Sequence, residues 1–195
     1  APLDMCGIAG LLGPDGDDLK MAFSMASLLN HRGPDGTRSW AEPCSNGGVG
    51  FGHTRLSIVD IRGSNQPLHS DDGCVLIVNG EIYNHQQIRN QERSFQFRTK
   101  GDGESILAAY AARNDEFSWV QRLDGIWAFA LWDSNREKLI LCRDRLGVKP
   151  LVRTVTDQGT LLFGSEVKSL RAHPGHMPTL DLDALVARIA YEYPL

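Results

Sequence analysis

The groups in this sequence suited to work on a small polar substrate are a thiol at Cys6, a guanidinium at Arg55, a side-chain amide at Asn79 beside Gly80, and carboxylates at Glu81 and Asp102. A cysteine is a useful nucleophile only as the thiolate or beside a base. Cys6 precedes Gly7 at the start of an apolar run, which is not an obvious core position. Six histidines could act as its base, but no spacing selects one. An α-amino group is the other candidate, because its ordinary pKa of about 7.7–8.0 suits a base at neutral pH. Cys6 carries such a group only if it is the first residue. Taken alone, Cys6 therefore reads as a small core residue. The other groups also have ordinary readings. Asn79-Gly80 is the strongest short hairpin signal in the chain. Asp102 precedes a helical stretch, where capping is the usual role. Arg55 reads as a surface or ion-pairing residue, and Glu81 as a solvent-facing strand residue.

The elements that position these groups are short strands mixed with a few helices. Residues 8–12, 49–60, 74–78, 82–83, 95–99, 127–132, 138–142, 151–155 and 160–163 read as extended segments. The segment at 49–60 has a β-branched end at Ile58 and Val59. Turns are expected at 31–36, at Asn79-Gly80, at 133–137 and at 157–159. Residues 17–31 carry Leu19, Ala22, Phe23, Ala26, Leu28 and Leu29 at helical spacing, with Asp17 or Asp18 near the N-cap. Residues 102–113, 167–172 and 182–191 also read as helical. Hairpin-linked strands imply a largely antiparallel α+β arrangement. Several strands are apolar at nearly every position, so both faces must be covered. Two sheets packed together with helices outside satisfy that demand.

The chain has 195 residues, 42% of them hydrophobic, and a formal net charge of -4 from 20 basic and 24 acidic residues. That suits a folded domain with a sizeable core. The charges are mixed along the chain with no basic stripe, so nothing points to nucleic acid or a membrane surface. No apolar run can span a bilayer, and the N-terminus lacks a secretory layout. Of the four cysteines, Cys74 and Cys142 lie in apolar runs and read as core thiols, while Cys44 lies in a turn-rich stretch. With no disulfide framework expected, a reducing cytoplasm is the default setting. The expectation for metals is none: His173 and His176 lack a third ligand at suitable spacing. Arg143, Asp144 and Arg145 read as a structural ion-pair cluster.

The order of motifs then adds what the single residues do not. Met5-Cys6-Gly7-Ile8-Ala9-Gly10 resembles the start of a class II, N-terminal-nucleophile glutamine amidotransferase. His31-Arg32-Gly33-Pro34-Asp35-Gly36 resembles the next family motif. Residues 52–60 with Gln66-Pro67, then residues 78–84, then Asp102-Gly103-Glu104, follow in turn. Later landmarks are Leu123-Asp124-Gly125 with residues 127–131, residues 143–151, and residues 163–168. This is the order seen in the glutaminase domains of asparagine synthetases, over roughly residues 6–168, and a series this long leaves little to chance.

The resemblance implies a four-layer αββα N-terminal-nucleophile fold. It implies that Cys6 attacks the side-chain amide of L-glutamine, with its own α-amine as general base. Asn79 and the Gly80 backbone N–H are implied as the oxyanion hole. Arg55 is implied as the partner of the glutamine α-carboxylate, which a guanidinium grips with paired hydrogen bonds. Asp102 and Glu81 are implied near the α-ammonium. Gly33 is implied to supply backbone contacts near the nucleophile, and the backbone of Leu56, Ile58 and Val59 to line the pocket. No cofactor is expected in this domain; ATP and Mg belong to a synthetase partner, which receives the ammonia. A homodimer is compatible with the resemblance.

Two features depart from the family pattern. Ala1-Pro2-Leu3-Asp4-Met5 precede Cys6, so residues 1–5 read as a leader, either a tag remnant or a propeptide, before a glutaminase domain at 6–195. An uncleaved, inactive form is the competing explanation. The 195 residues also contain no Ser-Gly-Gly-type ATP pyrophosphatase loop, so a synthetase domain is absent from them, and the expectation is an excised domain or a small subunit. The rival to a glutaminase is a non-catalytic scaffold or glutamine-binding domain, inactive because Cys6 is not N-terminal.

Overall fold

The computed structural model describes residues 5–14, 18–56 and 65–191. Its elements run β1 (Gly7–Gly13), α1 (Asp18–Ser27), β2 (Gly36–Cys44), β3 (Gly47–Arg55), β4 (Leu68–His69), β5 (Cys74–Ile82), α2 (His85–Gln91), α3 (Glu104–Ala111), α4 (Ser118–Gln121), β6 (Gly125–Asp133), β7 (Lys138–Arg143), β8 (Val152–Val155), β9 (Leu161–Gly164), α5 (Val167–Leu170) and α6 (Leu182–Tyr191). Two antiparallel sheets form, in the orders β2-β3-β1-β9-β8 and β4-β5-β6-β7. No helix among the described residues is long and apolar enough to cross a membrane.

The layering follows from the two-residue period of the strands. In β5 and β6, Val75, Ile77, Ala128, Ala130 and Trp132 face the first sheet, where they meet Ile8, Val49, Phe51 and Phe163. The alternate residues Leu76, Val78, Ile82, Trp127, Phe129 and Leu131 face outward. They bury Ile88 of α2, Ile106 to Tyr110 of α3 and Trp119 of α4. On the far side of the first sheet, Ala9, Leu11 and Leu162 pack under Ala22 and Met25 of α1, Leu29 and Leu170. The order is helix, sheet, sheet, helix, as the doubly apolar strands require. Trp127 and Trp132 are core residues, as their setting in the sequence implies.

Five local expectations are corrected. Asn79-Gly80 is not a hairpin: β5 runs straight through it, paired with β6 from Cys74 opposite Asp133 to Ile82 opposite Gly125. The Gly80 φ of 158° is far from the left-handed values of about +60° that a type I′ turn needs. Residues 95–99 alternate but form no strand. Their apolar members, Phe95 and Phe97, stack edge-on with centroids 4.8 Å apart. The amides of Arg98 and Thr99 donate to the buried Glu104 carboxylate at 2.9 and 2.8 Å instead of to a neighbouring strand. Cys44 is the last residue of β2, an edge strand that polar Arg38, Ser39 and Glu42 and the edge-tolerated Pro43 hide from a pattern reading. Helix α1 stops at Ser27, and turns occupy the rest of the expected span. Among the described residues Asp144 joins no ion-pair cluster: its carboxylate accepts the amides of Leu146, Val148 and Lys149 at 3.2, 2.9 and 2.9 Å. The short helices α2 and α4 carry too little periodic pattern to stand out.

Candidate active site

The site forms where strand ends of the two sheets meet. Gly7 pairs with Thr54, which brings Cys6 beside Arg55 and Leu56 at the end of β3. The facing sheet contributes Asn79, Gly80 and Glu81 from the C-terminal half of β5. Asp102 and Gly103 reach in from just before α3. A cavity of about 190 Å³ lies between them, lined by Cys6, Arg55, Asn79, Gly80, Asp102 and Lys149 among others. The residues that the resemblance selected are thus brought together in space. Ile58 and Val59 lie outside the described residues.

The Cys6 side chain is half-buried and held by one peptide neighbour. The Leu56 N–H donates to Sγ at 3.4 Å, and Sγ–H points to the Leu56 carbonyl at 3.7 Å. Burial pushes the thiol pKa up, opposed by the Leu56 amide and by the charges of Arg55 and Lys149. An unassisted thiolate is therefore disfavoured, and the nucleophile depends on a base. The Cys6 carbonyl accepts a hydrogen bond from Arg32 Nε at 3.1 Å.

Asn79 is 1% exposed, and its Nδ2 has no hydrogen-bond partner among the described residues. A buried, unpaired donor is costly to fold in. Such a donor is free to meet charge that develops in the cavity. Gly80 is required by the close approach of β6: a Cβ there would lie 2.2 Å from the Ile126 carbonyl oxygen and 2.6 Å from Trp127 Cα. Asp102 is not a helix cap, which corrects the ordinary reading. The N-cap position of α3 is Gly103 with no side-chain cap bond. Asp102 Oδ2 instead accepts the Ile82 amide at 2.7 Å, which turns the carboxylate toward the end of β5. Arg55 Nη1 donates to Asn65 Oδ1 at 2.7 Å. Gly33 lies flat on β3, where a Cβ would sit 2.5 to 2.6 Å from the backbone of Thr54 and Arg55. Its role is to let the 31–36 turn seat the end of that strand.

Sequence reasoning left several lining or bracing residues without a role. Arg32, 5% exposed, bonds Cys6 on one side and pairs with Glu166 at 2.9 Å on the other. Desolvation opposes the charge on Glu166. Hydrogen bonds from Arg32, His31 and Lys168 overcome it and hold the carboxyl at about 2. Ser165 completes the brace: the Ile8 amide donates to Ser165 Oγ at 3.0 Å, and the Ser165 amide donates to the Ile8 carbonyl at 2.8 Å. Gln66 acts as a substitute strand, accepting the Val78 amide at 2.6 Å and donating to the Val78 carbonyl at 2.9 Å. His53 lies fully buried at the cavity wall, hydrogen-bonded to the Val78 carbonyl, with Nε2 unpaired among the described residues. Burial, and secondarily the charge of Arg55, lower its pKa to about 3. It is a neutral imidazole, not a general acid. The signals for these residues were the motifs at 31–36, 52–60 and 163–168 and the Gln66-Pro67 pair, which marked positions without saying what each does.

A family model described as a glutamine amidotransferase domain matches residues 5–194. The chain is 44% identical over 183 residues to a putative glutamine-hydrolysing asparagine synthetase of Mycobacterium tuberculosis (strain ATCC 25618 / H37Rv), covering 85% of this chain and 28% of that protein. It is 39% identical over 171 residues to asparagine synthetase B (glutamine-hydrolysing) of Escherichia coli (strain K12), covering 85% of this chain and 30% of that protein. The chain thus spans less than a third of the length of these curated relatives. Among solved structures it superposes on a glutamine phosphoribosylpyrophosphate amidotransferase from B. subtilis, complexed with ADP and GMP, with a TM-score of 0.71 and 19% identity. That likeness covers 85% of this chain and 43% of the other, and it bears on the fold.

Proposed function

The chain belongs to the glutamine amidotransferase domain family, and on that premise we propose that it hydrolyses L-glutamine to glutamate and ammonia through a thioester on Cys6. The observation that carries this reading is one cavity that holds the Cys6 thiol, the buried unpaired Asn79 amide, a guanidinium and a carboxylate. Arg55 takes the α-carboxylate of glutamine, and Asp102, aided by Glu81, takes the α-ammonium. A guanidinium for the carboxylate and flanking anions for the ammonium select a free amino acid over a peptide. The side-chain amide of glutamine then lies toward Cys6 and Asn79.

The Cys6 α-amine accepts the thiol proton as sulfur bonds to the amide carbon. The carbonyl electron pair moves onto oxygen, where Asn79 Nδ2 and the Gly80 N–H donate to it. Donors aimed where charge develops are worth more than donors to the ground state. The α-ammonium returns its proton to the leaving nitrogen, the C–N bond breaks, and ammonia departs from a γ-glutamyl thioester. Water, activated by the same amine, adds to the thioester; the C–S bond breaks, glutamate leaves and the thiol is restored. The sum is glutamine plus water giving glutamate plus ammonia. The ammonia acceptor is a synthetase domain or subunit, with aspartate as the default substrate there, and ATP and Mg belong to that partner.

While Met5 is attached, the Cys6 nitrogen is a peptide amide and cannot serve as a base. The active species in this reading begins at Cys6, with residues 1–5 removed. The test compares the chain as written with one starting at Cys6, measuring glutamate release. The trimmed chain is expected to turn over glutamine, and Cys6→Ala is expected to abolish it. A folded, trimmed chain that releases no glutamate overturns the reading in favour of a glutamine-binding scaffold.

A further inference from the structure

Lys149 is the charged group at the site for which the mechanism above has no use. It closes the motif at 143–151, and its side chain lines the same cavity as Cys6. Its backbone is clamped on both sides: the Lys149 amide donates to Asp144 Oδ2 at 2.9 Å, and its carbonyl accepts Arg143 Nε at 2.7 Å. From that fixed base Nζ donates to the thioether of Met5 at 2.8 Å. Met5 is the residue bonded to the Cys6 nitrogen. A thioether is a weak acceptor for an ammonium. Among the described residues, no carboxylate lies within ion-pair distance of Lys149 Nζ.

We propose that Lys149 is a positioning residue for the base of this site: its ammonium stands beside the Cys6 α-nitrogen of the trimmed chain and keeps that nitrogen unprotonated. The inference rests on the glutaminase reading above. Removing residues 1–5 takes away the thioether and leaves Nζ facing the new amine. A like charge nearby disfavours the protonated amine, so a larger fraction is free base at neutral pH.

The other charges facing Cys6 differ in their partners. Arg32, after α1, bonds the Cys6 carbonyl but is neutralised by Glu166 after β9. Arg55, at the end of β3, bonds Asn65 and is reserved for the substrate carboxylate. Glu81 on β5 and Asp102 before α3 are anions lining the same cavity, where the substrate ammonium is expected; the charge of Glu81, like that of Asp144, reaches Lys149 and favours its ammonium form. Asp144 is committed to three loop amides. Lys149 is itself partly desolvated: burial, then the charge of Arg32, lower its pKa. A partly buried charge is screened less than a fully exposed one, so it can act on a neighbouring amine.

The test is the pH profile of kcat/KM for glutamine, from about pH 5.5 to 9, on the chain beginning at Cys6. Lys149→Met is expected to move the acidic limb upward by about one unit, and so to lower activity about tenfold on that limb. Lys149→Arg, which keeps the charge, is expected to hold the limb in place. A merely structural lysine predicts an even loss at every pH with no rescue by arginine. A limb that stays put in Lys149→Met, or moves equally in Lys149→Arg, overturns the proposal. If Lys149→Met does not fold, Lys149→Gln carries the same comparison. Independently of any variant, an acidic limb at or above about pH 8 in the unsubstituted trimmed chain also overturns it, because the amine is then not depressed. Absence of turnover at every pH is a different result: it removes the glutaminase reading and this inference with it.

Discussion

Asn79 and Asp102 differ at the residue scale: the Asp102 carboxylate has a fold partner in the Ile82 amide, whereas the Asn79 donor has none among the described residues. The Asn79 donor is buried and unpaired among the described residues, which costs stability unless charge develops beside it. Asn79→Ala is therefore expected to lower kcat about 10²–10³-fold with a much smaller change in KM, measured by steady-state glutamate release. An equal loss in KM alone contradicts the oxyanion role. How far these roles could be read in the sequence differs by residue. The motif series marked Cys6, Arg55, Asn79, Gly80 and Asp102, and the structure gathers them in one cavity. Spacing said nothing of His53, Gln66 or Arg32, because their work is done through contacts 12 to 134 residues away in the chain. Asp102 shows the opposite case. Its position before a helix suggested a cap, but its carboxylate goes to the Ile82 amide across the site.

At the scale of elements, β5 carries the account, and it is also where the local pattern misled. Asn-Gly between apolar runs reads as a turn, yet β6 offers an unbroken ladder from Cys74 to Ile82, and pairing along nine residues outweighs a local turn preference. The glycine is needed for a different reason, the closeness of Ile126 and Trp127. Gly80→Ala is expected to destabilise the fold by about 2–3 kcal/mol, because backbone rather than a flexible side chain must move. It is also expected to impair turnover beyond that loss by shifting the N–H. Denaturant titration with activity measured on the folded fraction checks both. Hairpins at β6–β7 and β8–β9 were legible because apolar runs flank polar turns. Strand β2 and helices α2 and α4 were not, since an edge strand and short helices bury too little to impose a period.

Across the whole molecule, the two-sheet sandwich with outer helices was legible from strands apolar on both faces, because only cover on each side satisfies them. The electrostatics of the interior were not legible, and they set the response to acid. An unfolded chain binds a proton at His53 near the ordinary value of 6.5, while the native state, with a pKa of about 3, refuses it. Stability is thus expected to fall as pH drops below 6.5, by up to about 1.4 kcal/mol per unit. Glu166 adds a second loss as pH falls from its ordinary 4.5 toward its native value of about 2. Thermal melting is expected to decline already between about pH 6.5 and 5, with a smaller decline in His53→Gln. Identical slopes for the two proteins contradict a neutral, buried His53. Both sheets meet at Cys6, and its role as nucleophile is the claim on which the functional account stands. The most direct measurement is peptide mapping of the chain beginning at Cys6 after reaction with a diazoketone analogue of glutamine. One adduct per chain is expected, on Cys6, suppressed by excess glutamine and missing from the chain that retains Met5. No adduct, or one on Cys44, Cys74 or Cys142 that glutamine does not suppress, contradicts it.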